Sequence, residues 1–220
     1  MLTNLFSIFD SSSSSLFGSN WLIFVLIFSL IPISFWKSSA RPSKLFKLLA
    51  FYLSSELKPL SMKFPFLSLS MISIFLFIML SNLTGLLPYV YTSSSHMMVS
   101  LAMAFTAWNA INIYGSINQL NHQMAHLVPI GTPGLLMPFM VLIETISNNI
   151  RPITLSVRLS ANMIAGHLLI ALLSGAMVGA MISYPILLIS GLALGLLELA
   201  VALIQAYVFT LLLMLYASEM

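Results

Sequence analysis

The chain has 220 residues, of which 60% are hydrophobic and only 6% charged, with a formal net charge of +3. An average soluble domain carries about 25% charged residues, so this surface cannot face water throughout and lipid must be its main solvent. The absence of cysteine excludes disulfides, thiolate metal sites and thiol redox chemistry.

The first 20 residues hold Asp10 and the serine run Ser11 to Ser15 but no Lys or Arg. They lack the basic start of a secretory signal and the arginines of a mitochondrial transit peptide. The chain is therefore expected to insert by its own spans, and to be made inside the compartment it serves. The first apolar run, 16–36, carries Trp21, Phe35 and Trp36 near its ends, as interfacial anchors of a single span should be.

Six of the eight cations (Lys37, Arg41, Lys44, Lys47, Lys58 and Lys63) fall in the next segment, 37–63. Such a cluster between two apolar runs is kept on the inner side of a membrane rather than serving nucleic acid. Its interleaved Leu45, Phe46, Leu48, Leu49, Phe51, Tyr52 and Leu53 predict a helix lying in the interface. Further spans follow at 66–87, closed by Pro88, and at 97–117, leading into a polar stretch that ends at His126.

From 135 to 184 the chain stays apolar without a convincing loop. As one helix this segment would measure roughly 75 Å at about 1.5 Å per residue, against a hydrocarbon core about 30 Å thick. It is either a hairpin of two spans or one long, tilted helix. The run 185–217 is overlong too, and tilt is the usual accommodation. The fold class expected is an all-α polytopic membrane protein forming one domain over 1–220. It should have about five membrane helices and one interfacial helix, the last two membrane helices long and strongly tilted.

Beyond Lys63 the charged residues are Glu144, Arg151, Arg158, Glu198 and Glu219. Arg158 sits well inside an apolar segment, where an arginine costs about 2.5–3.5 kcal/mol on insertion scales. Its pKa exceeds about 12, so it cannot shed its proton to escape that cost. It requires a water-filled cavity, an anionic partner, or both. Glu144, Asn148, Arg151, Leu155, Arg158 and Asn162 are spaced by three and four and share one helical face, which should meet protein or water. His167 points to another side. Ser156, Ser160, Ala161, Ala165 and Gly166 would let a neighbouring helix approach closely. On the last helix Glu198, Ala202, Gln205 and Phe209 form a second stripe. Two carboxylates, an arginine and a histidine on membrane helices make a proton relay. The blander roles are that Arg151 snorkels to an interface beside Pro152, and that Glu144 and Glu198 are structural partners of the arginines. His122 and His126, at i and i+4, have metal-ligand spacing but no second pair, so they read with His96 as ordinary loop histidines.

The stretch IETISNNIRPITLSVRLSANMIAGHLL at 143–169, with HLVPIGTP upstream and LELAVALIQAYVF downstream, resembles subunit a of the ATP synthase membrane sector. The resemblance covers nearly the whole chain, and RLSANMIAGH is its most specific part. With His at 167 and Glu at 198 it is closest to the mitochondrial form; bacterial members tend to carry the two the other way round. The resemblance implies a stationary subunit of the mitochondrial inner membrane, with segment 37–63 on the matrix side. Such a subunit offers two proton half-channels to a rotating ring of small hairpin subunits (the c-ring), each bearing one carboxylate. It implies that Arg158 is the essential cation between the half-channels, facing the ring. Glu144, Asn148, Asn162, His167, Glu198 and Gln205 then belong to the proton path or its helix interface. Its partners are the ring, the peripheral stalk, other membrane-sector subunits and lipid.

No Gly-rich run ends in Lys-Ser or Lys-Thr, so ATP chemistry is expected to belong to partners. The chain reads as no enzyme on its own, with no cofactor and no metal. The alternatives are an autonomous proton channel, a proton-relaying subunit of a respiratory complex, or a structural membrane anchor.

Overall fold

The computed structural model describes residues 6, 9–11, 19–31, 41–59, 65–88, 90–118, 120–128, 133–134, 136–179 and 184–219. Most of the serine run, Phe35, Trp36, Lys37 and Lys63 lie outside the described residues, as do the side chains of His122, His126 and Glu219. The helices are α1 (Ile23–Leu30, preceded by a 3-10 turn, Ser19–Leu22), α2 (Arg41–Leu57), α3 (Pro65–Gly85), α4 (Met97–Asn118), α5 (Leu120–His126), α6 (Met137–Gly179) and α7 (Tyr184–Glu219). A second 3-10 turn, Ser93–Ser95, precedes α4. No strand occurs among the described residues, and four helices (α3, α4, α6 and α7) are long and apolar enough to cross a membrane. The chain is an all-α polytopic membrane protein.

Within segment 135–184, Met137–Gly179 forms one helix rather than a hairpin. No run of turn-forming residues interrupts it, and Pro152 is carried inside the helix. That proline lacks the N–H which the Asn148 carbonyl would otherwise accept, so one backbone acceptor is freed at this level. At about 1.5 Å per residue, α6 measures about 65 Å and α7 about 54 Å. Helices of that length stay within about 30 Å of hydrocarbon only when inclined to it.

α7 packs on α3, α4 on α6, and α6 on α7. The shared core holds Met71, Phe75 and Ile78 of α3, Ala104, Trp108 and Ile111 of α4, Leu155 and Leu159 of α6, and Ala206, Phe209, Leu213 and Met214 of α7. Small residues sit where helices cross: Ala104, Ser156 and Ala206 are wholly buried, and Ser100 and Ala202 nearly so. Lipid offers no hydrophobic drive for helices to associate, so close contact through small residues supplies the attraction. The buried hydroxyls of Ser156 and Thr210 donate to Ile153 O and Tyr207 O on their own helices, which satisfies them locally.

α2 lies on α3, burying Ser43, Leu53 and Leu57 while exposing Leu45, Leu48, Leu49, Phe51 and Tyr52. These exposed apolar groups share the helix with Arg41, Lys44 and Lys47, the composition of an interfacial helix. Because Leu53 and Leu57 join a cluster with Leu213 and Met214, α2 marks the same end of the bundle as the C-terminus of α7. The turn between α3 and α4 marks the other end.

Candidate functional site

α6 and α7 run antiparallel in one continuous register. Arg151 meets Tyr216, Asn162 meets Gln205, Gly166 meets Glu198, and Leu173 and Met177 meet Gly191. This places every candidate residue at a definite height along one helix pair.

At the α2 end, the Arg151 guanidinium lies 3.8 Å from the Glu144 carboxylate and 4.7 Å from the centre of the Tyr216 ring. Trp108 braces Tyr216 edge-on at 5.1 Å. Ion pair and cation–π contact together anchor the arginine from two directions. Glu144, Asn148 and Arg151 line a cavity of about 670 Å³ with Asn109, Asn112 and Gln123 of α4 and α5. Gln123 donates to Asn112 Oδ1 at 2.8 Å, tying α5 to α4 at its edge. A cavity so lined can hold water and pass a proton between its polar groups.

Nearer the other end, Asn162 donates to Gln205 Oε1 at 3.2 Å across the helix pair. About one turn further on, His167 Nε2 and Glu198 Oε1 are 4.0 Å apart. Glu198 is only 5% exposed, yet neither of its oxygens has a hydrogen-bond partner among the described residues, and His167 Nε2 has none either. A buried acid and a partly buried imidazole on facing helices, both unsaturated, can exchange a proton with whatever reaches them. A second cavity, of about 190 Å³, opens here between α6 and α7, lined by Asn162, Gly166 and Glu198 among apolar neighbours.

Arg158 belongs to neither cavity. Its side chain is exposed, with no hydrogen bond or ion pair to any described residue. It stands between the levels of the two cavities, seven residues from Arg151 and four from Asn162, or about 10 Å and 6 Å along the helix. Exposed apolar side chains near its level include Val157 on α6 and Leu203, Ile204 and Tyr207 on α7.

The polar stripe therefore does not meet protein or water as one face. Glu144, Asn148 and Arg151 turn to the larger cavity, Leu155 is buried in the core, Asn162 reaches α7, and Arg158 points outward. Over five turns an α-helix drifts away from a strict seven-residue repeat by about 20° per heptad, enough to move a stripe from one neighbour to the next. Of the two glutamates, Glu144 pairs with Arg151, but the close partner of Glu198 is His167 rather than an arginine.

Four residues contribute in ways the sequence alone does not show. Sequence spacing marks Gly166 only as a small packing residue, but a Cβ there would strike the Glu198 carboxylate, lying 2.8 Å from Cδ and 3.0 Å from Cγ. Its hydrogen is what admits the acid. Asn82, wholly buried in α3, donates to the Ala202 carbonyl at 3.4 Å, one turn from Glu198. The spacing of Asn109 and Asn112 on α4 was the available signal for the larger cavity.

Residues 17–218 match the family model described as ATP synthase A chain. The chain belongs to that family. Proteins named "ATP synthase subunit a" from Anopheles gambiae and Anopheles quadrimaculatus are 48% and 49% identical to it, each aligned over 100% of this chain and 99% of its own length. That of Artemia franciscana is 46% identical over the full length of both. Membership gives the chain the place of a membrane-sector subunit of the proton-translocating ATP synthase, one that does not itself carry the nucleotide chemistry.

Proposed function

We propose that the chain is the stationary partner of a rotating ring, offering it two proton half-channels that end on either side of Arg158. The observation that carries this reading is the outward Arg158 standing between two separate cavities on one helix pair. Glu144, Asn148 and Arg151 line one half-path. Asn162, His167, Glu198 and Gln205 line the other.

The physics of a lone outward arginine supports the scheme. A fixed cation within about 4–6 Å lowers a carboxylate pKa by about 1–3 units. A protonated ring carboxylic acid brought against Arg158 therefore releases its proton to the nearer cavity. The ionised site cannot return cheaply to lipid and must first be reprotonated from the other side. The same cation repels a proton crossing directly between the cavities. One charge moved through 100 mV supplies about 2.3 kcal/mol, so several steps must be summed to drive one costly reaction. Exposed apolar side chains near its level, Val157, Leu203 and Ile204, suit a ring of apolar helices sliding past.

The partners are then that ring, the peripheral stalk and other membrane-sector subunits, with lipid around them. The membrane is the mitochondrial inner membrane, with segment 37–63 on the matrix side, since its cations resist translocation. This puts the Glu144 cavity on the matrix half-path and Glu198 on the opposite one. The test is ATP-driven proton pumping in vesicles holding the assembled complex. Arg158→Ala is expected to abolish coupled pumping with assembly intact, and normal pumping in that variant would sink the reading.

A further inference from the structure

At the end of the bundle away from α2, the described N-terminal residues fold back over the helix pair. The Phe9 ring meets His167 edge-on at a centroid distance of 6.4 Å. Asn20 donates to the Ser11 carbonyl at 3.3 Å, which fastens this segment to the turn before α1. Beneath it lies a crevice of about 550 Å³, lined by Phe6, Phe9, Asp10, Ser95, His96 and Ile164 beside Met97. α6 contributes only Ile164 to this lining, so the titratable side chains in it are Asp10 and His96.

His96 is held firmly. Ser95 donates to the Thr92 carbonyl at 2.7 Å, which closes the turn leading into it. The imidazole Nε2 is hydrogen-bonded to the Tyr91 hydroxyl, and Trp21 packs on the same ring at 5.9 Å. Tyr91 is pushed above the usual phenol range by burial, and the nearby Asp10 charge adds to this while a Ser11 hydrogen bond opposes it. Its phenol therefore keeps its proton, and donates it to Nε2 when the imidazole carries its own proton on Nδ1. When His96 takes up a proton there, the Tyr91 hydroxyl must rotate to accept. The exchange costs one hydroxyl rotation and no backbone movement.

We infer that this crevice is the water-facing mouth of the path to Glu198, with Asp10 and His96 collecting protons and Phe9, seated on His167, forming its inner stop. The inference rests on the half-channel reading and adds to it the gathering residues and the plug. An acid and an imidazole in one apolar-walled crevice concentrate protons at its opening by focusing the local field. An imidazole can both accept and return a proton, which is the chemistry a gathering residue needs. From the crevice the direct way to Glu198 runs past Phe9 to His167, whose Nε2 is 4.0 Å from the acid.

The chain has no cysteine of its own, so a single introduced thiol reports cleanly. Met97→Cys in the assembled complex is treated with a charged, membrane-impermeant thiosulfonate on the face opposite segment 37–63. The native complex serves as control for thiols on other subunits. Labelling is expected to cut proton flow by about tenfold relative to the same complex before treatment. A labelled thiol with unchanged flow overturns the inference, and so does a thiol the reagent cannot reach, because a mouth must be open to water. His96→Gln is expected to slow flow in weakly buffered medium and to recover when concentrated imidazole buffer is supplied. Flow equal to the native complex at every buffer concentration overturns the gathering role. If Arg158→Ala abolishes pumping while thiol labelling changes nothing, only the mouth is misplaced; if Arg158→Ala pumps normally, the half-channel reading itself has failed.

Discussion

The two polar regions on α6 are built on opposite principles. Around Glu144 and Arg151 every charge has company: carboxylate, guanidinium and aromatic face lie within contact, and a roomy cavity surrounds them. Around Glu198 and His167 the space is small, the helices are close, and the acid is buried without a hydrogen bond among the described residues. A saturated, spacious site can lose one contact and reorganise through its neighbours. A tight, unsaturated one has a single way of holding its groups, so its geometry is its function.

The sharpest test of that contrast compares two glycines on the same helix pair. Gly166→Ala puts a methyl group into the Glu198 carboxylate, which must move because the opposing atoms are the functional group itself. Proton flow through the assembled complex is expected to fall about a hundredfold, a change of about 2.7 kcal/mol in the barrier. Gly191→Ala makes contacts of 3.1 Å and 3.2 Å with Met177 Cε and Leu173 Cδ2, the free ends of flexible side chains. These ends can swing aside, and flow is expected to stay within about twofold. Equal losses in the two variants, measured as pumping per assembled complex, would remove the special status of the Gly166 level.

Much of this arrangement is legible in the sequence. Run lengths and the scarcity of charge give an all-α bundle, and the cost of burying Arg158 marks the residue that stands between the cavities. Periodicity also joins Glu144 to Arg151, because they are seven residues apart on one helix. What periodicity cannot show is which neighbour each part of a long helix meets. Leu155 and Arg158 are only about 60° apart around the helix, yet one is buried and the other exposed, because the edge of the packed face falls between them while Leu159 stays in the core. The pairing of His167 with Glu198 and the role of Gly166 are contacts between helices 31 or 32 residues apart in the chain, and follow from the antiparallel register alone. The choice between one long helix and a hairpin at 135–184 was likewise open, since the apolar run suits both.

At the saturated end the expected effects are smaller. Tyr216→Leu removes the aromatic face from Arg151 but leaves Glu144 in place, a loss of about 0.5–2 kcal/mol. The thermal midpoint of the assembled complex should fall by a few degrees with pumping reduced about threefold or less. Tyr216→Phe keeps the ring and is expected to behave as the native chain, which separates the cation–π contact from any role of the hydroxyl. If Tyr216→Leu proved as damaging as Gly166→Ala, this region would have to be counted as single-geometry too.

The Asn162–Gln205 hydrogen bond lies between the two regimes, and a double-mutant cycle decides which it follows. Asn162 donates across the helix pair about one turn from Arg158, while Gln205 Nε2 is buried without a partner among the described residues. If the bond serves only to hold α6 against α7, Asn162→Ala and Gln205→Ala should each lower thermal stability, with flow per complex unchanged. If the pair lies on the path, each should slow flow by about threefold, and the double variant should be no slower than the worse single one. We expect the second outcome. Asn162 lines the same cavity as Glu198, and a half-satisfied amide two turns from a buried acid is placed to orient a passing proton carrier rather than to fasten two helices already locked by packing.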